Sequence, residues 1–433
     1  MATKFDELTG FATKELFYEN VKNAVLANPL ERHCIVYFDI DNFKIFNDLF
    51  GYENGDRLLK ESARLIKELN GNKNLCSRIT SDWFAFYIPE RKFSETALTD
   101  ISDSLNKIFK ESLMPIVIHF GVYSFNSLDE KVSILAGRAK RALKSIKGLP
   151  SKLVAYYDNK FMETERQEQH VARVFDTALK NGEFRIFLQP QVSAKKGLQG
   201  AEVLARWITP QGELISPDKF IGTLEKSGLI SKLDINIWEQ AAALLKYWEG
   251  TEKENLYLSV NISVKDFNNL DVYQVLTDIV KKYNIPPKKL RLEITESVLM
   301  NDVKKVLEVI KKLRKAGFYI EIDDFGKGYS SLSMLKDIEV DLLKIDMDFL
   351  RKTENELKSS IILESIILMT RKLGLEVLAE GVETEAQIDF LKMVGCDLFQ
   401  GYYYAKPMAV ADFSRKFFSP NLHSLQGEEK TVV

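Results

Sequence analysis

The chain of 433 residues is poor in the residues that build disulfide frameworks and zinc sites. Its three cysteines, Cys34, Cys76 and Cys396, are far apart and set among apolar residues. An odd number of widely spaced thiols predicts buried, reduced cysteines and favours a cytoplasmic protein. The four histidines are scattered, and none follows the acidic strand ends described below, so a zinc site is not expected.

The chain also lacks a basic excess and any long apolar run. Its 60 Lys and Arg residues nearly balance 62 Asp and Glu residues. Binding to a nucleic-acid polymer is therefore not expected, because it depends on clustered positive charge. No stretch approaches the roughly 20 apolar residues that span a bilayer. The first ten residues lack a basic region followed by an apolar core. We expect no membrane segment and a small ligand.

One apolar run ends on two adjacent carboxylates. Residues Phe318 to Ile322 lead into Asp323 and Asp324, and a loop with Gly326 and Gly328 follows. Side chains alternate faces along a strand, so both acids can face one site only where the strand ends. Two ionised carboxylates repel each other, and a divalent cation is the usual way to keep both charged. The alternative is a solvated pair that caps the next helix.

From Phe184 onward the chain repeats a short apolar run that ends in a polar residue and leads into an amphipathic helix. Eight such runs are predicted as strands: Phe184–Val192, Ala201–Trp207, Leu256–Ile262, Leu290–Thr295, Phe318–Asp324, Leu342–Asp346, Glu376–Glu380 and Asp397–Tyr402. Eight strands with intervening helices predict a TIM-like (β/α)8 barrel. Only Ser193 to Gly200 separate the first two strands. That stretch is too short for a parallel crossover, so the first strand is expected to run antiparallel.

Polar side chains lie at the carboxyl end of most of these strands. They are Glu202, Asn261, Glu293, Asp323, Asp324, Lys344, Asp346, Glu380 and Gln400. Barrel enzymes build their sites at this end of the strands, so these residues should share one mouth. Burying so many carboxylates without cations would be very unfavourable. The pattern therefore predicts a site for Mg²⁺, Mn²⁺ or Ca²⁺, which prefer oxygen ligands.

Residues 1 to 158 alternate helical and strand patterns. An apolar strand from Cys34 to Phe38 runs into Asp39 and Asp41, and further apolar stretches cover Trp83 to Ile88 and Ile116 to Val122. This order predicts an α/β sandwich with a mixed or antiparallel sheet.

This segment resembles a GGDEF domain, the nucleotidyl-cyclase-like module that makes cyclic di-GMP from GTP. The likeness rests on Asp6 to Gly10, on the run FDIDNFKIFNDLFGYENGD from Phe38 to Asp56, and on a hairpin led by Arg78. The signature departs, because Thr80 to Phe84 read TSDWF. The family's two glycines let the backbone approach the GTP phosphates, and Trp83 replaces an acid with a large ring. We expect a degenerate domain without cyclase activity.

The resemblance implies that Asp39 matches a metal ligand and that Asn47 and Asp56 match the positions that contact guanine. The domain could therefore still bind GTP and regulate its neighbour. The alternative is a purely structural or dimerising domain.

The barrel segment resembles the EAL-domain phosphodiesterases, which hydrolyse cyclic di-GMP to linear pGpG. The matching motifs span Phe184 to Met408: QP from Gln189, EVLARW from Glu202, NIS from Asn261, EITES from Glu293, DDFGKGYSSL from Asp323, LKID from Leu343, AEGVET from Ala379 and QG from Gln400. Val203 replaces the signature alanine at a position that is not a ligand. The resemblance also implies a homodimer.

The resemblance implies two divalent ions, Mg²⁺ or Mn²⁺, of the kind that activate water and clamp a phosphodiester. One would be held by Glu202, Asn261, Glu293 and Asp323. The other would be held by Asp323, by Asp324 and, directly or through water, by Glu380. Lys344 would orient or help activate the water, and Lys344, Glu380 and Glu202 are therefore the predicted catalytic residues. The alternative for Lys344 is a plain salt bridge to Asp346.

The remaining predicted roles concern the substrate and one loop. The expected substrate contacts are Gln189, Leu204, Arg206, Asp346 and Gln400, with Arg206 on a phosphate because a guanidinium suits phosphate geometry. Glu296 would steady the loop after the fifth strand, where Lys327 replaces a residue that is usually small.

We therefore predict four segments: a degenerate GGDEF-like domain at 1–158, a connecting helix at 159–183, a phosphodiesterase barrel at 184–420 and a polar tail at 421–433. The predicted function is hydrolysis of cyclic di-GMP, with the first domain in a regulatory role. A non-catalytic receptor for cyclic di-GMP that signals through a protein partner is the alternative.

Overall fold

The computed structural model describes residues 4–110, 114–149, 151–295, 298, 303–325, 338–346 and 356–418. The chain divides into two compact units, residues 1–167 and 168–433. Within the described residues, no helix has the length and apolar character that crossing a membrane requires.

The first unit is a five-stranded sheet with helices. Its strands are β1 (His33–Ile40), β2 (Cys76–Thr80), β3 (Trp83–Pro89), β4 (Ile118–Phe125) and β5 (Val154–Tyr156), in the order β2-β3-β1-β4-β5. Only the β4–β5 pair is parallel. The helices are α1 (Lys14–Ala27), α2 (Phe43–Phe50), α3 (Tyr52–Asn70), α4 (Glu95–Ile108) and α5 (Val132–Ile146). The predicted α/β architecture with a mixed sheet is confirmed.

Strand β1 is apolar on both faces because helices cover both faces of the sheet. Val36 and Phe38 belong to the core cluster that includes Leu58 of α3. Ile35 and its neighbours on the opposite face pack in a second cluster with Phe17 of α1. Every residue of β1 is buried, which explains its unbroken apolar run. Asp39 follows this apolar run near the carboxyl end of the strand and is buried as well.

Helix α6 (Asn159–Lys180) crosses the boundary between the two units. Its buried residues are Val171, Phe175 and Ala178. Their spacing places them on one face of the helix, as the periodicity of the sequence indicates. The segment boundaries given above remain predictions.

The second unit contains a closed barrel of eight strands. These are β6 (Phe184–Ser193), β7 (Gly197–Ile208), β9 (Tyr257–Ile262), β10 (Leu290–Thr295), β11 (Ile320–Phe325), β12 (Leu342–Asp346), β13 (Glu376–Glu380) and β14 (Leu398–Phe399). Strand β6 pairs antiparallel with both β7 and β14, and the other barrel neighbours are parallel. This confirms the barrel with a reversed first strand. Two short strands, β8 (Leu214–Ile215) and β15 (Met408–Ala409), extend the sheet.

Three strands are shorter than predicted, and one of them, β9, begins at Tyr257 rather than Leu256. Strand β11 begins at Ile320 rather than Phe318, and β14 covers only Leu398 and Phe399 of the predicted Asp397–Tyr402 run. Gln400 therefore follows the end of β14 instead of lying within it. Its backbone N–H still donates to the carbonyl of Ala379, at 2.9 Å, which keeps it beside β13.

Helices surround the barrel. They are α7 (Ile221–Ser227), α8 (Ile230–Trp248), α9 (Val264–Asn269), α10 (Val272–Tyr283), α11 (Val303–Lys315), α12 (Glu356–Lys372), α13 (Glu385–Met393) and α14 (Val410–Phe418). Short 3-10 turns cover Lys73–Leu75, Glu90–Lys92, Pro217–Lys219 and Pro287–Lys289. Helix α11 buries Val306, Ile310 and Leu313. It stops before Gly317, whose φ of +96° is open to glycine but strained for other residues.

All three cysteines are buried and free, as the sequence predicts.

Candidate active site

Strand pairing brings the predicted polar residues to one end of the barrel. Asn261 on β9 pairs in register with Glu293 on β10, and Thr295 of β10 pairs with Asp323 on β11. On the far side, Asp346 ends β12 directly opposite Glu380, which ends β13. Because the barrel closes, strands that are distant in sequence present these side chains to a common interior.

The ammonium group of Lys344 lies at the centre of this group. Its Nζ is 2.7 Å from Glu380 Oε1 and 3.0 Å from Glu293 Oε2. It is 3.5 Å from Glu202 Oε2 and 3.6 Å from Asp323 Oδ1. The lysine is fully buried, and so is Glu293. One positive charge therefore faces four carboxylates in the interior of the barrel.

Burial and charge act in opposite directions on these groups. Burial alone would lower the pKa of Lys344, but the charges of Glu202, Glu293 and their neighbours outweigh it and raise the pKa well above its usual value. Burial, reinforced by the charge of Glu202, raises the pKa of Glu293 well above its usual range. Burial also raises the pKa of Glu380 to about 8, although Lys344 opposes this shift. Without further cations, the site holds the lysine charged and favours protons on some of its acids.

Amide side chains orient Glu202. Gln400 donates through Nε2 to Glu202 Oε2 and, at 3.2 Å, to Gln189 Oε1. Asn261 Nδ2 lies 3.4 Å from Glu202 Oε1. Gln191 donates to Gln400 Oε1 at 2.9 Å. The carboxylate at the start of the EVLARW motif thus has a fixed orientation within a chain of amides.

The mouth opens into a cleft of about 330 Å³. It is lined by most of the predicted site residues together with four others: Gln189, Glu202, Leu204, Asp323, Asp346, Glu380 and Gln400, with Gly381, Glu383, Gly401 and Tyr402. Lys344 and Glu293 lie buried below it. Arg206 and Asn261 line an adjoining cavity of about 370 Å³, which Leu204 also lines.

Three predicted residues cannot be placed. Asp324 belongs to β11, but its side chain lies outside the described part of the structure. Glu296 and Lys327 also lie outside the described residues.

The donor set fits a hard divalent cation. Among the described residues, no three histidine, cysteine or acidic side chains have the spacing of a ready-made metal cluster, because the acids converge on the lysine. The available donors are nonetheless carboxylate and amide oxygens, the ligands that Mg²⁺ and Mn²⁺ prefer. Neither oxygen of buried Glu293 accepts a hydrogen bond of good geometry from a described residue. A buried carboxylate in that condition calls for a cation.

The predicted site of the first unit has a different balance of charge. Asp39 is buried, and Lys147 Nζ lies 2.5 Å from its Oδ2. Burial raises the pKa of Asp39 to about 7, against the effect of Lys147 and with a further contribution from Asp82. Trp83 on β3 is the strand partner of Asp39, and the ammonium groups of Lys147 and Lys140 lie 5.3 Å and 4.8 Å from the centre of its ring.

The other two predicted residues of the first unit lie on helices. Asn47 belongs to α2, and its Oδ1 is buried without a hydrogen-bond partner among the described residues. Gly55 of α3 packs against it so closely that a Cβ there would come within 1.8 Å of that oxygen. Asp56, the next residue, is exposed.

Sequence reasoning missed Gln191 and Lys147. Gln191 lies two residues after Gln189 on β6, so strand alternation could have identified it as a second inward amide. Lys147 follows the end of α5 and meets Asp39 only through the tertiary fold, so no local signal marks it.

Comparison with known proteins relates both units to described families. Residues 172–407 match the family model of the EAL domain, and residues 3–151 match that of the diguanylate cyclase GGDEF domain. The signaling protein YkoW of Bacillus subtilis is 32% identical over 406 residues, which are 90% of this chain and 49% of YkoW. The cyclic di-GMP phosphodiesterase NbdA of Pseudomonas aeruginosa is 28% identical over 439 residues, 98% of this chain and 56% of NbdA. The chain thus spans about half the length of these two relatives.

Solved structures give the same relation. The PaMucR phosphodiesterase in complex with c-di-GMP superimposes with a TM-score of 0.54 at 33% identity, covering 56% of this chain and 99% of that one. The Vibrio cholerae LapD S helix-GGDEF-EAL structure bound to c-di-GMP has a TM-score of 0.59 and covers 92% of this chain and 95% of its own. At 20% identity, the second likeness shows the fold alone.

Proposed function

The chain belongs to the EAL-domain family and carries a GGDEF domain ahead of its barrel, and on this premise we propose that it hydrolyses cyclic di-GMP to linear pGpG with two divalent ions. The supporting observation is the excess of buried carboxylates around Lys344, which one lysine cannot neutralise. Unpaired buried charge is very unfavourable, so such an excess calls for cations.

The ligand roles follow the positions of the oxygen donors. Glu202, Asn261, Glu293 and Asp323 would hold one Mg²⁺ or Mn²⁺, and Asp323, Asp324 and Glu380 the other. When bound, such a pair activates water and stabilises the charge of the phosphodiester oxygens.

Lys344 would act as a fixed positive charge and a hydrogen-bond donor. In the site without ions, the surrounding carboxylates raise the pKa of Lys344, which favours a charged ammonium group over a base. It would orient the attacking water and offset the negative charge that develops at phosphorus. Glu380 lines the cleft with its Oε1 2.7 Å from Lys344 Nζ, so as a ligand of the second ion it would also lie beside the attacking water.

The cleft would bind the dinucleotide through its polar lining. Gln189, Asp346 and Gln400 present donors and acceptors, and Leu204 adds an apolar contact. Arg206 lies in the adjoining cavity, where its guanidinium could pair with a phosphate.

The test is hydrolysis of cyclic di-GMP by the purified chain with Mg²⁺ or Mn²⁺, following pGpG by chromatography beside a Glu202→Ala control. Product from the wild type and none from the control is the expected result. If the wild type neither forms pGpG nor binds cyclic di-GMP, the proposal is wrong.

A non-catalytic receptor is the second candidate. In this case the same cleft would hold the dinucleotide through its polar lining without cleaving it. Tight binding of cyclic di-GMP by the wild type with no pGpG, at saturating Mg²⁺ and Mn²⁺, would establish the receptor instead.

The first unit would act as a regulatory partner without cyclase activity. Thr80 and Ser81 stand at the hairpin where the family has glycines, and Trp83 stands where it has an acid. Calorimetry of the Glu202→Ala variant with Mg²⁺ and GTP tests whether GTP is the signal. Heat of binding would support GTP control through Asp39, Asn47 and Asp56. No heat at millimolar GTP would leave a structural or dimerising role.

Light scattering would test the expected homodimer.

A further inference from the structure

A second cavity lies at the end of the barrel opposite the carboxylates. Its volume is about 350 Å³. Tyr257 and Glu376, which line it, are the first residues of β9 and β13, and Ser193 is the last residue of the reversed strand β6. We call it the amino-end cavity. Its full lining is Ser193, Lys196, Gln199, Tyr257, Arg291, Arg371, Leu375, Glu376, Val377, Gly395, Asp397 and Leu398.

Cations outnumber the acids available to them in this cavity. Within the described part of the chain, Lys196 and Arg371 form no ion pair with an acid. Of the two acids in the described lining, Asp397 already has a partner, because its Oδ1 lies 3.5 Å from Lys195 Nζ and its Oδ2 lies 3.4 Å from Ser193 Oγ. Glu376 is then the one remaining acid of that lining against the two charges of Lys196 and Arg371. The potential in the cavity therefore favours an anion.

Arg291 forms the inner wall of the amino-end cavity and is held rigidly. Its guanidinium lies 3.4 Å from the ring centre of Tyr257 and 3.9 Å from that of Tyr319. Its Nη1 is 3.0 Å from Glu321 Oε1. Its Nε is buried and has no acceptor among the described residues. This leaves one N–H of a rigidly held guanidinium free to bind a ligand.

Tyr257 supplies a second buried donor. The residue is only 7% exposed, and its hydroxyl has no hydrogen-bond partner among the described residues. Its ring lies so close to Gly200 that a Cβ there would come within 2.5 Å of it. Burial raises the pKa of Tyr257, so the hydroxyl keeps its proton at neutral pH. A buried donor without an acceptor is unfavourable, and a bound oxyanion would satisfy it.

We propose that the amino-end cavity binds a small phosphate-bearing anion through Lys196, Arg371, Arg291 Nε and the Tyr257 hydroxyl. The cavity has the size of a small-molecule site. Arginine and lysine donors converging with a neutral hydroxyl are the usual means of holding phosphate oxygens. This cavity shares no lining residue with the cyclic di-GMP cleft and lies at the other end of the strands, so the site is distinct from that cleft and does not depend on the proposed hydrolysis.

The test is calorimetric titration of the full chain with inorganic phosphate in the presence of a chelator, against a chloride blank of equal ionic strength. One phosphate per chain is expected. Lys196→Gln and Arg371→Gln should each weaken binding about tenfold, since each removes a charged hydrogen bond. Lys195→Gln is the matched control, because Lys195 is the neighbouring lysine and does not line the cavity. It should change the affinity by less than about twofold.

Two further arms keep the result decisive. Tyr257→Phe removes one hydroxyl and should weaken binding about threefold to tenfold, with unchanged thermal unfolding in the absence of phosphate. Titration with ribose 5-phosphate distinguishes two possible ligands, free phosphate and a phosphate monoester. Ribose 5-phosphate should bind more tightly than inorganic phosphate only if the cavity also holds the sugar.

Two results would overturn the proposal. The first is no saturable heat up to about 50 mM phosphate with either ligand, far above the range of a specific small-anion site. The second is equal weakening by Lys195→Gln and Lys196→Gln, which would place the anion on the exposed turn instead. Lys196 is itself exposed, so its variant should fold even if Arg371→Gln does not.

Discussion

Both units set a lysine against a buried acid at the carboxyl end of a strand, but their balance of charge differs. In the first unit, Lys147 lies 2.5 Å from Asp39, and Asp82 is the second carboxylate that acts on it. In the barrel, Lys344 faces four carboxylates within 3.6 Å. The first site therefore sets one lysine against two acids, whereas the second sets one lysine against four, and only bound cations would let all four ionise.

This difference in charge explains why one acid site attracts divalent ions more strongly than the other. An internal ammonium group can take the place of a metal cation where one or two acids are present, and that of Lys147 lies 5.3 Å from the centre of the Trp83 ring. Where four acids converge, one lysine satisfies only part of them, and the remainder still attracts divalent ions. The number of acids in reach of the lysine separates the two cases.

The largest expected effect comes from removing the central lysine of the barrel. Lys344→Gln should lower the rate of cyclic di-GMP hydrolysis by about 10²- to 10³-fold at saturating Mn²⁺, because it removes a preorganised charge. Lys147→Gln in the first unit is the matched variant and should leave the rate within about twofold. Near-UV circular dichroism would confirm that both variants fold. A rate within tenfold of wild type for Lys344→Gln would contradict the role assigned to this lysine.

Divalent cations should stabilise the barrel and not the first unit. At Mn²⁺ concentrations about 100 to 1,000 times the dissociation constant, the free energy of unfolding of the barrel should increase by about 3 to 4 kcal/mol. Hydrogen exchange of backbone amides in β10 and β1 would measure the two units separately.

Glu293→Gln serves as the control for this comparison, since it removes one buried carboxylate and should reduce the gain in β10. Equal protection of β1 and β10 by Mn²⁺ would remove the contrast between the two sites.

The pH dependence of the first unit should report Asp39. Burial raises its pKa to about 7, above the value of about 4 for an unfolded aspartate. The stability that the protonated group contributes is therefore complete below about pH 4 and is lost as the pH rises through 7. The asparagine in the Asp39→Asn variant does not titrate, so the variant does not lose this stability. Between pH 5 and pH 8, the free energy of unfolding of the variant relative to that of wild type should therefore rise by about 1 to 3 kcal/mol.

The measurement is the free energy of opening of β1, from hydrogen exchange corrected for the intrinsic rates. A difference between Asp39→Asn and wild type that stays constant over this range would show that Lys147 keeps Asp39 ionised throughout.

The smallest expected effect concerns the amide chain beside Glu202. Gln191→Leu keeps the volume of a fully buried side chain but removes the hydrogen bond to Gln400. The variant should lose about 1 kcal/mol of substrate-binding free energy, which corresponds to a roughly fivefold higher KM with a smaller change in kcat. An unchanged KM would show that Gln400 holds its orientation through Gln189 and Glu202 alone.

Much of the fold could be predicted from local patterns. The run from Leu290 to Thr295 is a strand with the predicted bounds, and so are those ending at Asp346 and Glu380. The short connection after Ser193 correctly predicts the reversed strand, because a parallel crossover needs more residues. The predicted length of β14 was wrong. The apolar pattern continues to Tyr402, but the backbone forms strand pairs only at Leu398 and Phe399.

The sequence alone determined the barrel, the reversed strand and the placing of the acids at strand ends, because strand period, helix period and connection length are local properties of the chain. Only the tertiary structure decided that Lys344 meets Glu202, that Gln191 reaches Gln400 and that Lys147 meets Asp39. Each of these contacts joins residues far apart in sequence. Their meeting depends on how the sheets close and which way each side chain turns, and no periodicity in the chain encodes that.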